Sequence, residues 1–189
     1  MIARFDHRPM LTAALALATI VLLVVVVTLS TLLITAAPPA APALSSSVGD
    51  NSPVTALAIK ALSHTYVVDR IFAAHLRREA HAYPSANLSE MPTLAALAAD
   101  LRRSDLEYID HVSTLDLAQL AERIDFAFTD GALGRMSREE MLMHVVTHGA
   151  GHRGQVSAVM LLHSVPPAKD GFTAYLHEAE APARRRVAA

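Results

Sequence analysis

Between His144 and Val156 the chain reads HVVTHGAGHRGQV, with histidines recurring every fourth residue at 144, 148 and 152. Residues four apart on an α-helix stand one turn above each other on the same face. Two imidazoles so placed can grip one metal ion, as in helical His-x-x-x-His zinc sites. The outer pair is separated by about 12 Å along the axis, so all three cannot share an ion. One adjacent pair, completed by ligands from another segment, is therefore the arrangement this spacing allows. A merely His-rich, solvated helix face is the competing reading, because nearly all of the ten histidines follow residue 50.

The helix itself is well specified. Ser137-Arg138-Glu139-Glu140 forms a capping box, and Met136 and Met141 occupy the positions of a hydrophobic staple. Glu139 and Glu140 complement the positive end of the helix dipole. Leu142, Val145, Val146, Val156, Val159, Met160 and Leu161 carry apolar surface to about His163, before Val165-Pro166-Pro167 ends the helix. Gly149, Gly151 and Gly154 each cost roughly 1 kcal/mol relative to Ala. Such a density of glycine suggests close approach by another backbone or a ligand.

The run MSREEMLMHVVTHGAGHRGQVSAVMLLHSVPP, residues 136–167, resembles the last helix of the DinB-like, or YfiT-like, metal-binding proteins. LSHTYVVDRIF, residues 62–72, is similar to that family's second helix, and the likeness extends from about Gly49 to about Glu178. The resemblance implies an all-α fold, a four-helix up-down bundle, with a three-His site built from one histidine of the second helix and two of the last. Carried over, the metal ligands are His64, His148 and His152. His144 matches a common family residue that is not a ligand, and Gly151 replaces a histidine of many relatives without touching the triad.

On its own terms, Ser52-Pro53 opens a helix well, and Val54, Leu57, Ala61, His64, Val68, Ile71 and His75 fall along one stripe. Periodicity alone does not rank His64 above His75. Their axial offset of about 16 Å excludes both from one ion. Three neutral imidazoles suit a divalent metal ion, and spacing does not choose among Zn, Ni, Fe and Mn. Three protein ligands leave positions open for water or substrate, the pattern of catalytic sites. Gly149 stands where a zincin protease needs its glutamate, which excludes that mechanism. Around the ligands, Gln155 lies about one turn beyond His152, and Asp105 shares the inward phase of the preceding helix with Leu101, Tyr108 and Val112. A solvated carboxylate at the helix edge is the blander reading of Asp105. Arg153 points away from the ligands, toward packing or a surface pair.

Met91-Pro92-Thr93 starts that helix, which runs to about Ser113, and residues 123–136 read as an irregular connection or a short hairpin around Asp130-Gly131. From Met10 to Ala37 there is no charged residue, a length beyond the ~20 residues needed to cross a bilayer. Arg4 and Arg8 precede it and the next cation is Lys60, so the expected arrangement is a cytoplasmic 1–9, a transmembrane or signal-anchor helix over 10–37, and a domain outside. Small residues at 36, 37, 41 and 43 would also permit cleavage. Residues 38–50 read as a Pro/Ala/Ser linker, 51–178 as the helical domain and 179–189 as a disordered basic tail. The linker is too short for the family's first helix. Either the apolar segment replaces it, or a second subunit completes the bundle as a homodimer, or the encoded N-terminus is not native, in which case the domain is cytoplasmic.

A formal net charge of −2 gives no reason to expect nucleic-acid binding, and the absence of Trp argues against base stacking. Zero cysteines exclude disulfides, thiolate ligands and a catalytic thiol. Two function classes remain. The resemblance implies a metal-dependent enzyme of the thiol-transferase or isomerase type, a transferase or hydrolase acting with a small thiol or other small molecule. The other is a noncatalytic, membrane-anchored metal-binding or structural bundle.

Overall fold

A computed structural model describes residues 52–168 and 171–179; the apolar segment 10–37, the linker and the basic tail lie outside these. Three long helices dominate: α1 (Pro53–Arg77), α2 (Leu94–Ser113) and α4 (Arg138–Leu162). Short α3 (Leu117–Ala121) and a hairpin of β1 (Arg123–Ala127) and β2 (Leu133–Ser137) join α2 to α4, and α5 (Phe172–Ala179) follows. No described helix is long and apolar enough to cross a membrane.

Each long helix starts where its side chains can satisfy the free amides of a first turn. Ser52 accepts from the Thr55 amide with Pro53 as first helical residue, and Thr93 accepts from Ala96. At α4 the expected capping box forms in both directions between Ser137 and Glu140. Short α3 carries a second box, between Asp116 and Gln119. Arg78 ends α1 in the left-handed conformation (φ 60°), returning its amide to the carbonyls of Ala74 and His75.

The helices do not simply alternate up and down. The Asp100 charge acts on Tyr66, Arg70 pairs with Glu107, and the Arg77 charge acts on His111. Those pairs ascend together in number, so α1 and α2 run parallel. In contrast, Thr65 faces Gly149, Phe72 meets His144, and Arg138 donates to the Leu76 carbonyl. Hence α4 is antiparallel to α1. The parallel pair follows from the long connection 78–93, which returns along α1: His81 lies on His75, Tyr83 bonds to Tyr66 and Ala86 to His64. Extended chain at about 3.3 Å per residue easily covers the ~30 Å length of α2.

Val68, Phe72 and Leu76 of α1, Tyr108 and Val112 of α2, and Met141, Leu142 and Val145 of α4 form the core. Ile124 and Phe126 of β1 close its end. Among the described residues the hairpin is the one departure from an all-helical domain. Its strands pair antiparallel with Phe126 opposite Gly134, and Gly131 turns the chain at φ 87°. Phe126 occupies the space above Gly134, since a Cβ there would stand 2.4 Å from the ring. Outside the hairpin, Glu122 pairs with both Arg78 and Arg138, tying the end of α1 to the start of α4.

Candidate metal centre

His64 of α1 and His148 and His152 of α4 converge. His148 Nε2 is 3.3 Å from His64 Nε2 and 3.2 Å from His152 Nε2. One nitrogen from each ring lies within 4.8 Å of the other two, and all three residues are half-buried. The antiparallel packing of α1 on α4 produces this, because it sets His64 opposite the turn between His148 and His152.

The outer nitrogens of the set are accounted for. His64 Nδ1 is 2.8 Å from the Ala86 carbonyl, so it donates there and leaves Nε2 with its lone pair. His152 Nδ1 is 2.8 Å from Gln155 Oε1, which leaves its Nε2 in the same condition. His148 Nε2 therefore sits between two acceptors and can donate to one at most, while its buried Nδ1 has no partner. A neutral three-imidazole cluster thus carries an unresolved meeting of lone pairs. A cation at their common focus would remove it. Two ligands at about 2.05 Å in tetrahedral arrangement stand about 3.3 Å apart, which agrees with both measured separations.

Electrostatics prepares the cluster in the same sense. Burial, followed by the neighbouring imidazoles of His152, His144 and His64, pushes His148 down from 6.5 to about 4. The ring is consequently neutral at physiological pH, the form a metal requires. His144 stacks on His148 with centroids 5.3 Å apart and on Phe72 at 4.6 Å, and burial lowers its pKa too. It supports the triad without entering it. His75 lies away from the triad, among Phe72, His81 and Phe126.

Of the two residues expected around the ligands, Gln155 touches the site directly through His152. Asp105 is not solvated but buried, and its charge acts on Asp69 of α1. Burial and Asp105 together raise the Asp69 pKa well above the ordinary carboxylate value, while Arg153 opposes the rise. Arg153, expected to point away from the ligands toward packing or a surface pair, packs its guanidinium along α4 at the close approach with α1. A Cβ at Gly149 would lie 3.3 Å from Arg153 Nη1 and 3.8 Å from Thr65 Cγ2. Of the three helical glycines only Gly149 meets the expectation of close approach; Gly151 and Gly154 face open space.

Three groups went unnoticed in the sequence: the Ala86 carbonyl, the buried Asp69 and the crossover that carries Tyr83. Tyr66, pushed up to about 12 by burial and its bond with Tyr83, belongs to that crossover contact. A backbone carbonyl leaves no trace in residue identity. Asp69, by contrast, fell on the inward side of an apolar helix, which was a usable signal. Beside the triad a cleft of about 370 Å³ opens between α1 and α4, lined in part by His64, His152 and Gln155.

The fold and this cluster define a mostly helical bundle whose three facing histidines could hold a metal ion. The family model of the DinB family matches residues 50–185, which is most of the chain, and the protein belongs to that family. No curated protein and no solved structure matches it.

Proposed function

We propose that His64, His148 and His152 bind a divalent metal ion and that the site is catalytic, of the thiol-transferase or isomerase type. The observation that carries this reading is the meeting of three Nε2 atoms of which two are stripped of protons by fixed Nδ1 acceptors. Such a partner on the far nitrogen is the usual support of a metal-bound imidazole. Bound there, a metal ion of this type would supply Lewis acidity toward a small thiol, carbonyl or water in the remaining positions. The residues supply the rest: Ala86 and Gln155 hold two rings in one tautomer, and the cleft admits a small molecule beside them. With no cysteine in the chain, any reacting thiol belongs to the substrate.

In this reading residues 10–37 anchor the chain in a membrane with the domain outside, on the strength of their uncharged length and the preceding arginines. Elemental analysis of purified wild type, His148→Ala and His75→Ala tests the site. Metal in wild type and His75→Ala but not in His148→Ala is expected. Equal content in both variants would overturn the ligand assignment.

A further inference from the structure

One end of the bundle gathers exposed apolar side chains and almost no charge. Thr65 of α1 faces Gly149, and Leu76 faces Arg138, so the last residues of α4 stand level with Ser52 and Pro53 at the start of α1. The parallel helix α2 starts at the same end, since Asp100 acts on Tyr66 and Leu94 lies two turns before Asp100. Each helix leaves a large apolar side chain exposed there. Leu161 is 62% and Leu162 83% exposed on the final turn of α4, while Leu57 of α1 and Met91, just ahead of α2, are about half exposed.

The sequence is polarised in the same direction. Residues 52–59, 91–99 and 154–168, the parts that meet at this end, contain no Asp, Glu, Lys or Arg. Apolar surroundings would therefore dehydrate no charge on these stretches. The opposite end carries Arg77, Arg78, Glu79, Glu122, Arg138 and Glu139. Phe128 and Leu133 are exposed on the hairpin, but the hairpin joins the bundle at that charged end, about 37 Å away along α1. The uncharged end is also where the chain enters the domain. From Ala37, the close of the apolar segment, to Pro53 an extended chain reaches at most about 50 Å. Moving one mostly exposed leucine into an apolar phase favours the bound state only about tenfold. Such a gain is too small to hold a free domain on a membrane, yet it orients a domain already tethered beside one.

We infer that the end formed by the starts of α1 and α2 and the last turn of α4 lies on the surface of a lipid bilayer, with Leu161 and Leu162 in its interfacial apolar layer. The inference rests on the anchor reading for the nearness of the bilayer; the uncharged rim belongs to the folded domain itself. The same orientation brings the Leu57 and Val159 end of the cleft to the lipid.

The chain has no cysteine, so a single introduced one can carry a nitroxide. His163 caps α4 beside the two leucines, and Ala132 is exposed at the hairpin turn. Full-length His163→Cys and Ala132→Cys, each spin-labelled and reconstituted in phosphatidylcholine vesicles, are compared by collision with oxygen, enriched in lipid, and with chromium oxalate, confined to water. The label at 163 should favour oxygen and the label at 132 chromium oxalate. Adding Leu161→Gln and Leu162→Gln should lower the ratio of docked to free domain about 100-fold and return the 163 label to water. Both leucines are exposed, so the variant keeps the core intact. Vesicle-bound chain whose 163 label meets chromium oxalate freely would overturn the docking and keep the anchor. Chain that fails to pellet with the vesicles would overturn both. A 163 label shielded from both reagents would also overturn the docking, the occupant then being a second copy or the chain's own apolar segment. A label that stays in lipid after both leucines are changed would overturn their assignment.

Discussion

Removing His148's imidazole should flatten the acid limb of the metal-free protein's stability curve. In the folded state His148 is held down from 6.5 to about 4, chiefly by burial and then by its three histidine neighbours. Between those two values the unfolded chain binds a proton at this residue and the folded chain does not. Stability due to the residue is thus fully present above pH 6.5, declines as pH falls and reaches its floor near pH 4. The interval corresponds to about 3 kcal/mol at full value. The ring still touches solvent, which reduces this to roughly 1–2 kcal/mol. The assay is urea denaturation of chelator-treated wild type and His148→Gln at several pH values between 4 and 7. Subtracting the two curves removes the contributions of His75 and His111, whose pKa values are also lowered by burial, and the opposing one of Asp69, while His144, stacked on His148, stays part of the difference. Wild type should lose roughly 1–2 kcal/mol more than the variant on acidification. Parallel curves, or an NMR titration of His148 centred near 6.5, would refute the reasoning.

Gln155→Ala should weaken zinc binding about 10- to 100-fold by freeing the His152 ring, read by competition with a chromophoric chelator; unchanged affinity would remove Gln155 from the site. Gly134→Val should destabilise the domain by about 1–3 kcal/mol, because its side chain must displace the Phe126 ring from the hairpin. A loss under about 0.5 kcal/mol in denaturation would contradict the packing described. Full-length chain should sediment with membranes, whereas a chain beginning near Val48 should stay in the supernatant. A soluble, monomeric full-length protein without detergent would exclude the anchor.

Helix starts were the most legible part of this fold, because a cap is a local contract between neighbours: Ser52-Pro53, Thr93 and Ser137-Glu140 all act as their residue types demand. The pairing of His148 with His152 was legible for the same reason, spacing along one helix. Joining His64 to them needed the family resemblance, since periodicity treated His75 as its equal. Direction was harder. Whether α2 runs with α1 or against it depends on how far residues 78–93 travel, and nothing in that stretch encodes a return except its length. Arg153 serves packing, as its phase off the triad suggested, but spacing does not reveal that its long side chain lies over Gly149, four residues back, where the sequence allowed a backbone or a ligand.

That last feature bears on how α4 finds its place. With histidines at three positions and glycines at three more, α4 offers only a ragged apolar stripe and could turn about its own axis at little cost. A rotation of a single residue would exchange His152 for Arg153 at the triad. Arg153 favours the ionised form of Asp69, buried in α1, so their interaction opposes such a slip wherever that group carries charge, and a Cβ at Gly149 would crowd the guanidinium. The pair acts as an indexing pin: it adds little adhesion, yet it fixes the angular setting at which the three rings look at one another.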